Sequence, residues 1–379
     1  MIYSDHFVKV ATKGGEPMTE TVYLVLENGE IFKGKSFGAK RKVMGEIVFT
    51  TGMTGYVETL TDPSYYGQII VQTFPLIGNY GIIKEDFEST SVKAAAYIVK
   101  DWCQEPSNFR CEETLDTFLK NMDIPGLYDI DTRSLTKTIR EYGTMGGIIT
   151  SEPKLVDLAV LRNYYIHNAV EKVSIKEKQE GNNSEAKYQV ALIDFGLKQN
   201  IKRELMTRGC NVTVYPHDVT ASELLEAKPD GIMLSNGPGD PEDNPSIIAM
   251  LREIIKTGIP IFGICLGHQL LALANGFKTT KLKYGHRGTN QPVMEQTTGK
   301  VYITSQNHGF AVETDSIDKT FAIPEYCNLN DGTCEGIDYK DYPVFSVQFH
   351  PEACGGPKDT GFLFDKFIAF MEAKQNAIK

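Results

Sequence analysis

The feature of this sequence that most constrains its fold is an alternation of apolar segments and helix-patterned segments from residue 188 to residue 276. The segments QVALIDFG, NVTVYP, GIMLSNG and IPIFGI have the length and continuous hydrophobicity of buried parallel strands. Between them lie QNIKRELMTRG, a segment near SELLEA, and NPSIIAMLREIIKTG, which have the apolar spacing of helices. This alternation predicts a mostly parallel, doubly wound α/β domain with helices on both faces of its sheet.

A cysteine stands where the last of these strands meets the next helix, in GICLGHQLLALANG, residues 263–276. The glycines around Cys265 allow a tight turn that exposes the side chain, as in the G-x-S-x-G elbow of hydrolases. A helix N-terminus behind the sulfur also favours its thiolate. A lone cysteine in an apolar segment is, however, usually a small buried hydrophobic residue. The elbow alone therefore leaves both interpretations open.

Two further motifs carry groups that a thiolate nucleophile requires. The segment FSVQFHPEA is an apolar strand that runs directly into His350, Pro351 and Glu352. Pro351 favours an extended conformation for His350, and residues two apart in extended chain face the same side. His350 and Glu352 can therefore share one pocket as base and orienting acid. The loop SNGPGDPED, residues 235–243, has glycine N–H groups that can join the N–H of Leu266 in binding an oxyanion.

Composition limits the classes of function that remain. The chain has 379 residues and a formal net charge of −10, which argues against nucleic acid or an anionic membrane as its main partner. It has neither a membrane-length apolar run nor an apolar signal-peptide segment, so we expect a cytoplasmic protein. Seven cysteines without a C-x-x-C pair predict neither a disulfide framework nor a zinc site. Cys327, Cys334 and Cys354 could gather a metal, but their spacing matches no structural zinc site.

The first part of the chain has a different pattern. VYLVLENGEIFKG, with its Asn28-Gly29 pair, predicts a β-hairpin, and EIVFTTG, QIIVQTF and AAAYIVKDW predict further short strands. The clearest helices are ETLDTFLKNM and DTRSLTKTIREYG. The predicted organisation is a loosely structured extension at 1–20, a β-rich domain at 21–152, a connecting segment and polar linker at 153–187, and the α/β domain at 188–379.

The motifs SNGPGDP, GICLGHQ and FHPE, in this order, resemble those of the class I (triad) glutamine amidotransferases over residues 188–379. The segments GEIVFTTGMTGYVETLTDPSYYGQII, PLIGNYG and IDTRSLTKTIREYGTMGG resemble the domain that precedes such an amidotransferase in small subunits of carbamoyl-phosphate synthetases. In this family a cysteine attacks the side-chain amide of glutamine and forms a γ-glutamyl thioester that water hydrolyses. The resemblance implies that Cys265 is the nucleophile, His350 the general acid and base, and Glu352 the group that orients the imidazole.

The resemblance also implies contacts with bound glutamine from both domains. The implied glutamine contacts are Gly52, Gly237, Gly239, Leu266, Gln269, Asn307, Gly309 and Phe310. Members of the family have Ser or Gly at position 52, so any side-chain contact there is lost in this chain. Two other histidines near the motifs are not candidates for the base: we interpret His268 as helix packing and His308 as pocket scaffolding.

The chain contains neither a P-loop nor a Gly-rich dinucleotide motif. The resemblance implies no cofactor in this subunit, and a separate large subunit that uses ATP and Mg and receives ammonia through an internal tunnel. The heterodimer would make carbamoyl phosphate from glutamine and bicarbonate, for pyrimidine or arginine synthesis. The alternatives are the amidotransferase subunit of another synthase, a cysteine hydrolase of peptides or γ-glutamyl conjugates, and a catalytically silent regulatory subunit.

Overall fold

The computed structural model describes residues 20–183, 185–353 and 355–378. The predicted extension at 1–20 lies outside the described residues except for its last position, and Cys354 also lies outside them. Within these ranges no helix is long and apolar enough to cross a membrane.

Nine strands and five helices form the first half of the described chain. The strands are β1 (Thr21–Leu26), β2 (Ile31–Gly38), β3 (Val43–Thr50), β4 (Gln68–Gln72), β5 (Leu76–Ile77), β6 (Ala96–Ile98), β7 (Asp101–Trp102), β8 (Pro125–Tyr128) and β9 (Met145–Thr150). The helices are α1 (Tyr56–Thr61), α2 (Leu115–Asn121), α3 (Thr132–Tyr142), α4 (Leu158–Arg162) and α5 (Ala169–Val173). The β-rich character and the two clearest helices predicted from the sequence are confirmed.

Seven of these strands close into a barrel in the order β1-β2-β8-β6-β4-β3-β9, and β5 pairs with β7 in a separate sheet. The predicted hairpin joins β1 and β2, which are antiparallel. At its turn Gly29 has a φ of 91° and donates its N–H to the carbonyl of Leu26 at 2.9 Å. Apolar side chains that alternate along the strands, such as Leu24 and Leu26, fill the barrel. Closure leaves the loops at the barrel ends free to reach the second domain.

The described residues of the second half form nine strands and five α-helices. The strands are β10 (Tyr188–Ile193), β11 (Cys210–Tyr215), β12 (Gly231–Leu234), β13 (Ile261–Ile264), β14 (Thr279–Glu295), β15 (Val301–Val312), β16 (Ala322–Asn328), β17 (Cys334–Tyr339) and β18 (Val344–Val347). The helices are α6 (Gln199–Thr207), α7 (Ala221–Glu226), α8 (Pro245–Ile255), α9 (Leu266–Ala274) and α10 (Phe362–Ile378).

These strands form one sheet in the order β11-β10-β12-β13-β18-β17-β15-β14-β16. The first five are parallel to one another, which confirms the α/β sheet predicted from the alternating pattern. The other four extend it in antiparallel pairs. Two apolar clusters lie on opposite faces of the sheet, one against α7, α8 and α9 and the other against α6 and α10. The carboxyl ends of β12, β13 and β18 therefore meet at one edge, where ligands bind in such sheets.

The segment that connects the halves contacts both of them. The hydroxyl of Tyr164 donates to the carbonyl of Gly67 at 3.0 Å, and that of Tyr165 donates to Asp243 at 2.7 Å. Farther along, Gln179 forms an isolated antiparallel bridge with Val214 of β11. The part of the connecting segment that resembles a polar linker is thus partly paired with the sheet. The domain boundaries at 152 and 187 stay predictions.

Candidate active site

Cys265 lies at the turn between β13 and α9, with φ 53° and ψ −101°. This positive φ is rare for residues other than glycine, and the sharp turn is that of a nucleophile elbow. A Cβ on Gly263 would lie 2.9 Å from the carbonyl carbon of Gly267, and a Cβ on Gly267 would lie 2.7 Å from the carbonyl oxygen of Leu234. Both glycines are needed for the helix to pack this closely on the strands. The turn predicted from the sequence is confirmed.

His350 and Glu352 follow β18 and are both almost fully buried. Nδ1 of His350 lies 2.7 Å from Oε1 of Glu352. Nζ of Lys198 lies 2.9 Å from the same oxygen. Nζ is also 3.2 Å from Nδ1, but both nitrogens carry protons, so each N–H donates to the carboxylate. Nε2 of His350 is buried and has no hydrogen-bond partner among the described residues.

The protonation states of these groups follow from their mutual contacts. Burial raises the pKa of Glu352, but Lys198 and His350 lower it to a net value of about 2. Burial and Lys198 lower the pKa of His350, whereas the charge of Glu352 and the nearby sulfur of Cys265 raise it to a net value of about 9. Burial lowers the pKa of Lys198, and the surrounding carboxylates raise it above its usual value. Near neutral pH, His350 is therefore held as an imidazolium between a carboxylate and the sulfur of Cys265.

The Gly-Pro-Gly loop lies beside the elbow, as its position after the neighbouring strand predicts. A Cβ on Gly237 would lie 2.8 Å from Cδ2 of Leu266, and Gly239 has a φ of 90°. The loop is fixed from behind, because Asn236 accepts a hydrogen bond from the N–H of Lys198 at 3.1 Å. Glycines leave the loop backbone open toward Cys265, and the first N–H groups of α9 have no partner within the helix. Both are placed to bind an oxyanion.

Most of the predicted glutamine contacts line one cavity with Cys265. These residues are Gly237, Gly239, Gln269, Asn307, Gly309 and Phe310. Leu266 follows Cys265 on the elbow, where its backbone rather than its side chain is available. Gly52 lines a neighbouring cavity that contains His350 and Lys198, and Asn307 borders both cavities. The structure thus brings the predicted glutamine contacts together around the elbow, with Gly52 in the neighbouring cavity. Glutamine binding by these residues stays a prediction.

The two other histidines occupy structural positions. His268 is fully buried on α9, where Nδ1 lies 2.8 Å from the hydroxyl of Ser346, and burial lowers its pKa to about 3. The ring nitrogens of His308 lie 2.8 Å from the carbonyl of Phe310 and 3.0 Å from Oε1 of Gln306. Both arrangements agree with the packing and scaffolding roles expected from the sequence.

Four residues of the site were not found by sequence reasoning: Lys198, Gln348, Arg287 and Asp62. Lys198 follows the carboxyl end of β10, which is a position where ligand-binding side chains gather in parallel sheets. Gln348 stands two residues before His350 and donates to Sγ of Cys265 at 3.6 Å. Its position on the same side of an extended chain is a signal that could have identified it.

Asp62 comes from the barrel domain, in a segment whose sequence, TDPSYYG, indicates only a turn. Its Oδ2 accepts a hydrogen bond from the side-chain amide of Asn307 at 3.0 Å, and its Oδ1 accepts one from the N–H of Ser64 at 2.9 Å. Ser64 in turn accepts from Asn236 at 2.8 Å. No local pattern distinguishes such a long-range contact from an ordinary Asp-Pro-Ser turn.

One buried group has the composition of a metal site. The ligand atoms of His286, His308 and Glu335 lie within 4.8 Å of one another. Glu335 accepts hydrogen bonds from Gln306 at 3.0 Å and from Asn328 at 3.2 Å. The group therefore acts as a hydrogen-bonded support behind β15. Of the three cysteines that could have bound a metal, Cys327 and Cys334 are backbone partners on the adjacent strands β16 and β17, and both have free thiols.

Comparison with known proteins identifies the family. Residues 24–149 match the family model described as "Carbamoyl-phosphate synthase small chain, CPSase domain", and residues 191–370 match "Glutamine amidotransferase class-I". The chain is 52% identical over 354 residues to the carbamoyl phosphate synthase small chain of Clostridium perfringens, and the alignment covers 92% of this chain and 98% of that relative. The chain belongs to the carbamoyl phosphate synthase small-chain family.

Small chains of two further bacteria agree with this assignment. Those of Bacillus cereus and Listeria monocytogenes are 51% and 50% identical, over 92% and 94% of this chain and 95% and 98% of the relatives. The family predicted from the motifs is confirmed. A small chain with a class I amidotransferase domain is the glutaminase subunit of carbamoyl phosphate synthase, and its partner is the large subunit. The match over residues 24–149 also excludes the amidotransferase subunits that lack this first domain.

Proposed function

We propose that Cys265 hydrolyses glutamine and that the ammonia passes to the large subunit, which makes carbamoyl phosphate with ATP, Mg and bicarbonate. The observation that supports this proposal best is the elbow of Cys265 beside the buried row His350, Glu352 and Lys198. A thiol, a base, an acid that orients the base and an open oxyanion loop are the parts required for acyl transfer. We further propose a cytoplasmic location and a role in pyrimidine or arginine synthesis.

The first half-reaction forms a thioester. His350 holds the proton of the Cys265 thiol, and the thiolate attacks the side-chain amide carbon of glutamine. The N–H groups of Leu266 and of the Gly237–Gly239 loop stabilise the oxyanion of the tetrahedral intermediate. His350 then gives its proton to the amide nitrogen, the C–N bond breaks and ammonia leaves. The enzyme is left as a γ-glutamyl thioester with a neutral imidazole.

The second half-reaction restores the thiol. Neutral His350 removes a proton from water, whose oxygen attacks the thioester carbonyl, and the same oxyanion groups stabilise the second intermediate. The C–S bond breaks, glutamate leaves and the proton returns to the Cys265–His350 pair. Glu352 keeps Nε2 directed at the sulfur throughout, and Lys198 keeps Glu352 ionised.

The test compares nitrogen donors in the complex with the large subunit. We expect Cys265→Ala to abolish carbamoyl phosphate synthesis from glutamine and to leave synthesis from ammonia intact, because the thiol serves only nitrogen delivery. Cys327→Ala, a half-buried thiol away from the elbow, is the matched control and should keep both activities. Glutamine-dependent synthesis in Cys265→Ala would contradict the role of Cys265 as the nucleophile. No use of glutamine by the wild type would contradict the proposal as a whole and favour a regulatory subunit.

A further inference from the structure

The side chain of Arg287 is a buried cation that the proposed mechanism does not use. It is 4% exposed. Nη1 donates to the carbonyl of Tyr284 at 2.7 Å, whereas Nε is buried without a hydrogen-bond partner. No carboxylate of the described residues forms an ion pair with its guanidinium. Burying a charge without a counter-charge is strongly unfavourable, so this arrangement indicates a partner that is absent from the polypeptide itself.

The guanidinium lies at the cavity that contains Cys265. Arg287 is on β14, where it pairs with Asn307 of β15, and it lines the cavity together with Asn307 and Gly309. A Cβ on Gly309 would lie 3.3 Å from Nη2, and a Cβ on Gly285 would lie 2.5 Å from Nη1. The two glycines therefore leave space for the flat guanidinium. The glycine at 309, a predicted glutamine contact, borders the same cation.

Glu46 is the carboxylate whose charge most affects Arg287, and it is already bound. Lys281 donates to it at 2.7 Å and Gln68 at 2.9 Å. Burial lowers the pKa of Arg287, and the negative forms of Tyr65, Glu46 and Cys265 oppose this. The guanidinium still remains charged at any physiological pH. Arg287 thus places a charged donor group in the lining of the cavity that contains Cys265.

Guanidinium groups bind carboxylates through two parallel N–H bonds. Glutamine, the substrate of the proposed function, has one carboxylate, and this group takes no part in the reaction. We infer that Arg287 binds the α-carboxylate of glutamine and so positions the side-chain amide at Cys265. The inference rests on the proposed function and adds the residue that selects an α-amino acid over other primary amides.

The test separates recognition of the carboxylate from reactivity of the thiol. In the complex with the large subunit, Cys265 is alkylated by two reagents: chloroacetamide, which has no carboxylate, and a glutamine analogue in which a diazoketone replaces the side-chain amide. We expect Arg287→Gln to slow alkylation by the analogue about 30-fold or more, as expected when one partner of a buried charge pair is removed. The chloroacetamide rate should change far less, because this reagent has no carboxylate and reports only the effect of the Arg287 charge on the thiolate. Arg287→Lys keeps the charge but cannot form two parallel hydrogen bonds to a carboxylate. Its rate of alkylation by the analogue should therefore lie between those of the wild type and Arg287→Gln.

Glutamine kinetics give the second measurement. In Arg287→Gln we expect most of the loss in kcat/KM to come from a higher KM for glutamine, with ammonia-dependent synthesis retained. Arg252→Gln is the matched control, because Arg252 contacts the carbonyl of Ala274 outside the cavity. Equal slowing of both alkylation reactions would overturn the inference and place the effect of Arg287 on the thiolate or the local fold. Failure of the wild type to hydrolyse glutamine would instead overturn the proposed function.

Discussion

At the scale of single residues, the site is an alternating row of charges. Lys198, Glu352 and His350 are all buried, and each lies within hydrogen-bonding distance of the next. The carboxylate stays ionised because it has a cation on each side, and the imidazole keeps its proton because the carboxylate accepts from it. Activity should therefore be lost as the pH rises through the pKa of His350.

The first prediction concerns this basic limit. Glu352 raises the pKa of His350 and Lys198 lowers it, with a net value of about 9. In Glu352→Gln the basic limb of the pH profile of kcat/KM for glutamine should therefore move to lower pH. The rate should also fall by roughly 100-fold or more, because the imidazole is no longer oriented. Steady-state glutamate release between pH 6 and about 10 measures both effects, a range set by the usual pKa of histidine and its raised value.

Lys198→Met provides the opposite shift. Removing its cation should raise the pKa of His350, so the basic limb should move to higher pH than in the wild type. If Glu352→Gln and Lys198→Met moved the basic limb of the pH profile in the same direction, that limb would not reflect the titration of His350.

At the scale of elements, the elbow requires that α9 lie directly against β12 and β13. Gly267 is the residue that permits this contact, because a Cβ there would lie 2.7 Å from the carbonyl oxygen of Leu234. The same glycine also donates its N–H to the carbonyl of Ser235 at 3.1 Å, which joins the helix to the loop after β12. This backbone hydrogen bond thus holds the Gly-Pro-Gly loop next to the elbow of Cys265.

We therefore expect Gly267→Ala to destabilise the protein by about 1–3 kcal/mol, as overpacked substitutions do, and to lower glutamine-dependent activity. Gly52→Ala is the matched control for stability, because the atom nearest to its added Cβ is the carbonyl oxygen of Thr54, in ordinary contact at 3.4 Å. Thermal unfolding of the purified variants measures the difference. Equal unfolding temperatures for the two variants would show that the helix can move away from the strands at little cost.

At the scale of the whole molecule, the barrel domain completes the site of the second domain. Asp62 connects to Asn307 on β15, and Ser64 connects to Asn236 beside the Gly-Pro-Gly loop. Glu88 adds a second link, since it accepts a hydrogen bond from the N–H of Asn200 at 3.0 Å. The two domains therefore share hydrogen bonds beside the cavity that contains Cys265.

Asp62→Ala should disturb these hydrogen bonds without unfolding either domain. It leaves the amide of Asn307 unpaired, which corresponds to roughly a 10-fold loss in kcat/KM for glutamine, while ammonia-dependent synthesis in the complex should be unchanged. The control is Asp131→Ala, which removes the N-cap of α3, where Asp131 accepts from the N–H of Ser134 at 2.9 Å. That variant should lose about 1 kcal/mol of stability and keep its glutamine kinetics. Similar kinetics in the two variants would contradict a role for Asp62 in the site.

The sequence by itself determined the features that depend on local pattern and on order along the chain. The apolar segments before Cys265 and His350 indicated strands whose carboxyl ends meet at one edge of a parallel sheet. Glycines beside Cys265 and the proline after His350 indicated the local backbone. These features can be predicted from the sequence because the spacing of apolar residues, the length of a segment and its turn-forming residues all depend on only a few neighbouring residues.

Only the tertiary structure decided the partners that come from distant parts of the chain. Barrel closure, the antiparallel strands β14–β17, and the positions of Lys198, Asp62 and Arg287 at the site depend on contacts between segments far apart in sequence. A buried lysine or arginine has the same local pattern as an exposed one. Its role becomes visible when the fold removes it from water, because only then does the charge require a partner that the sequence does not name.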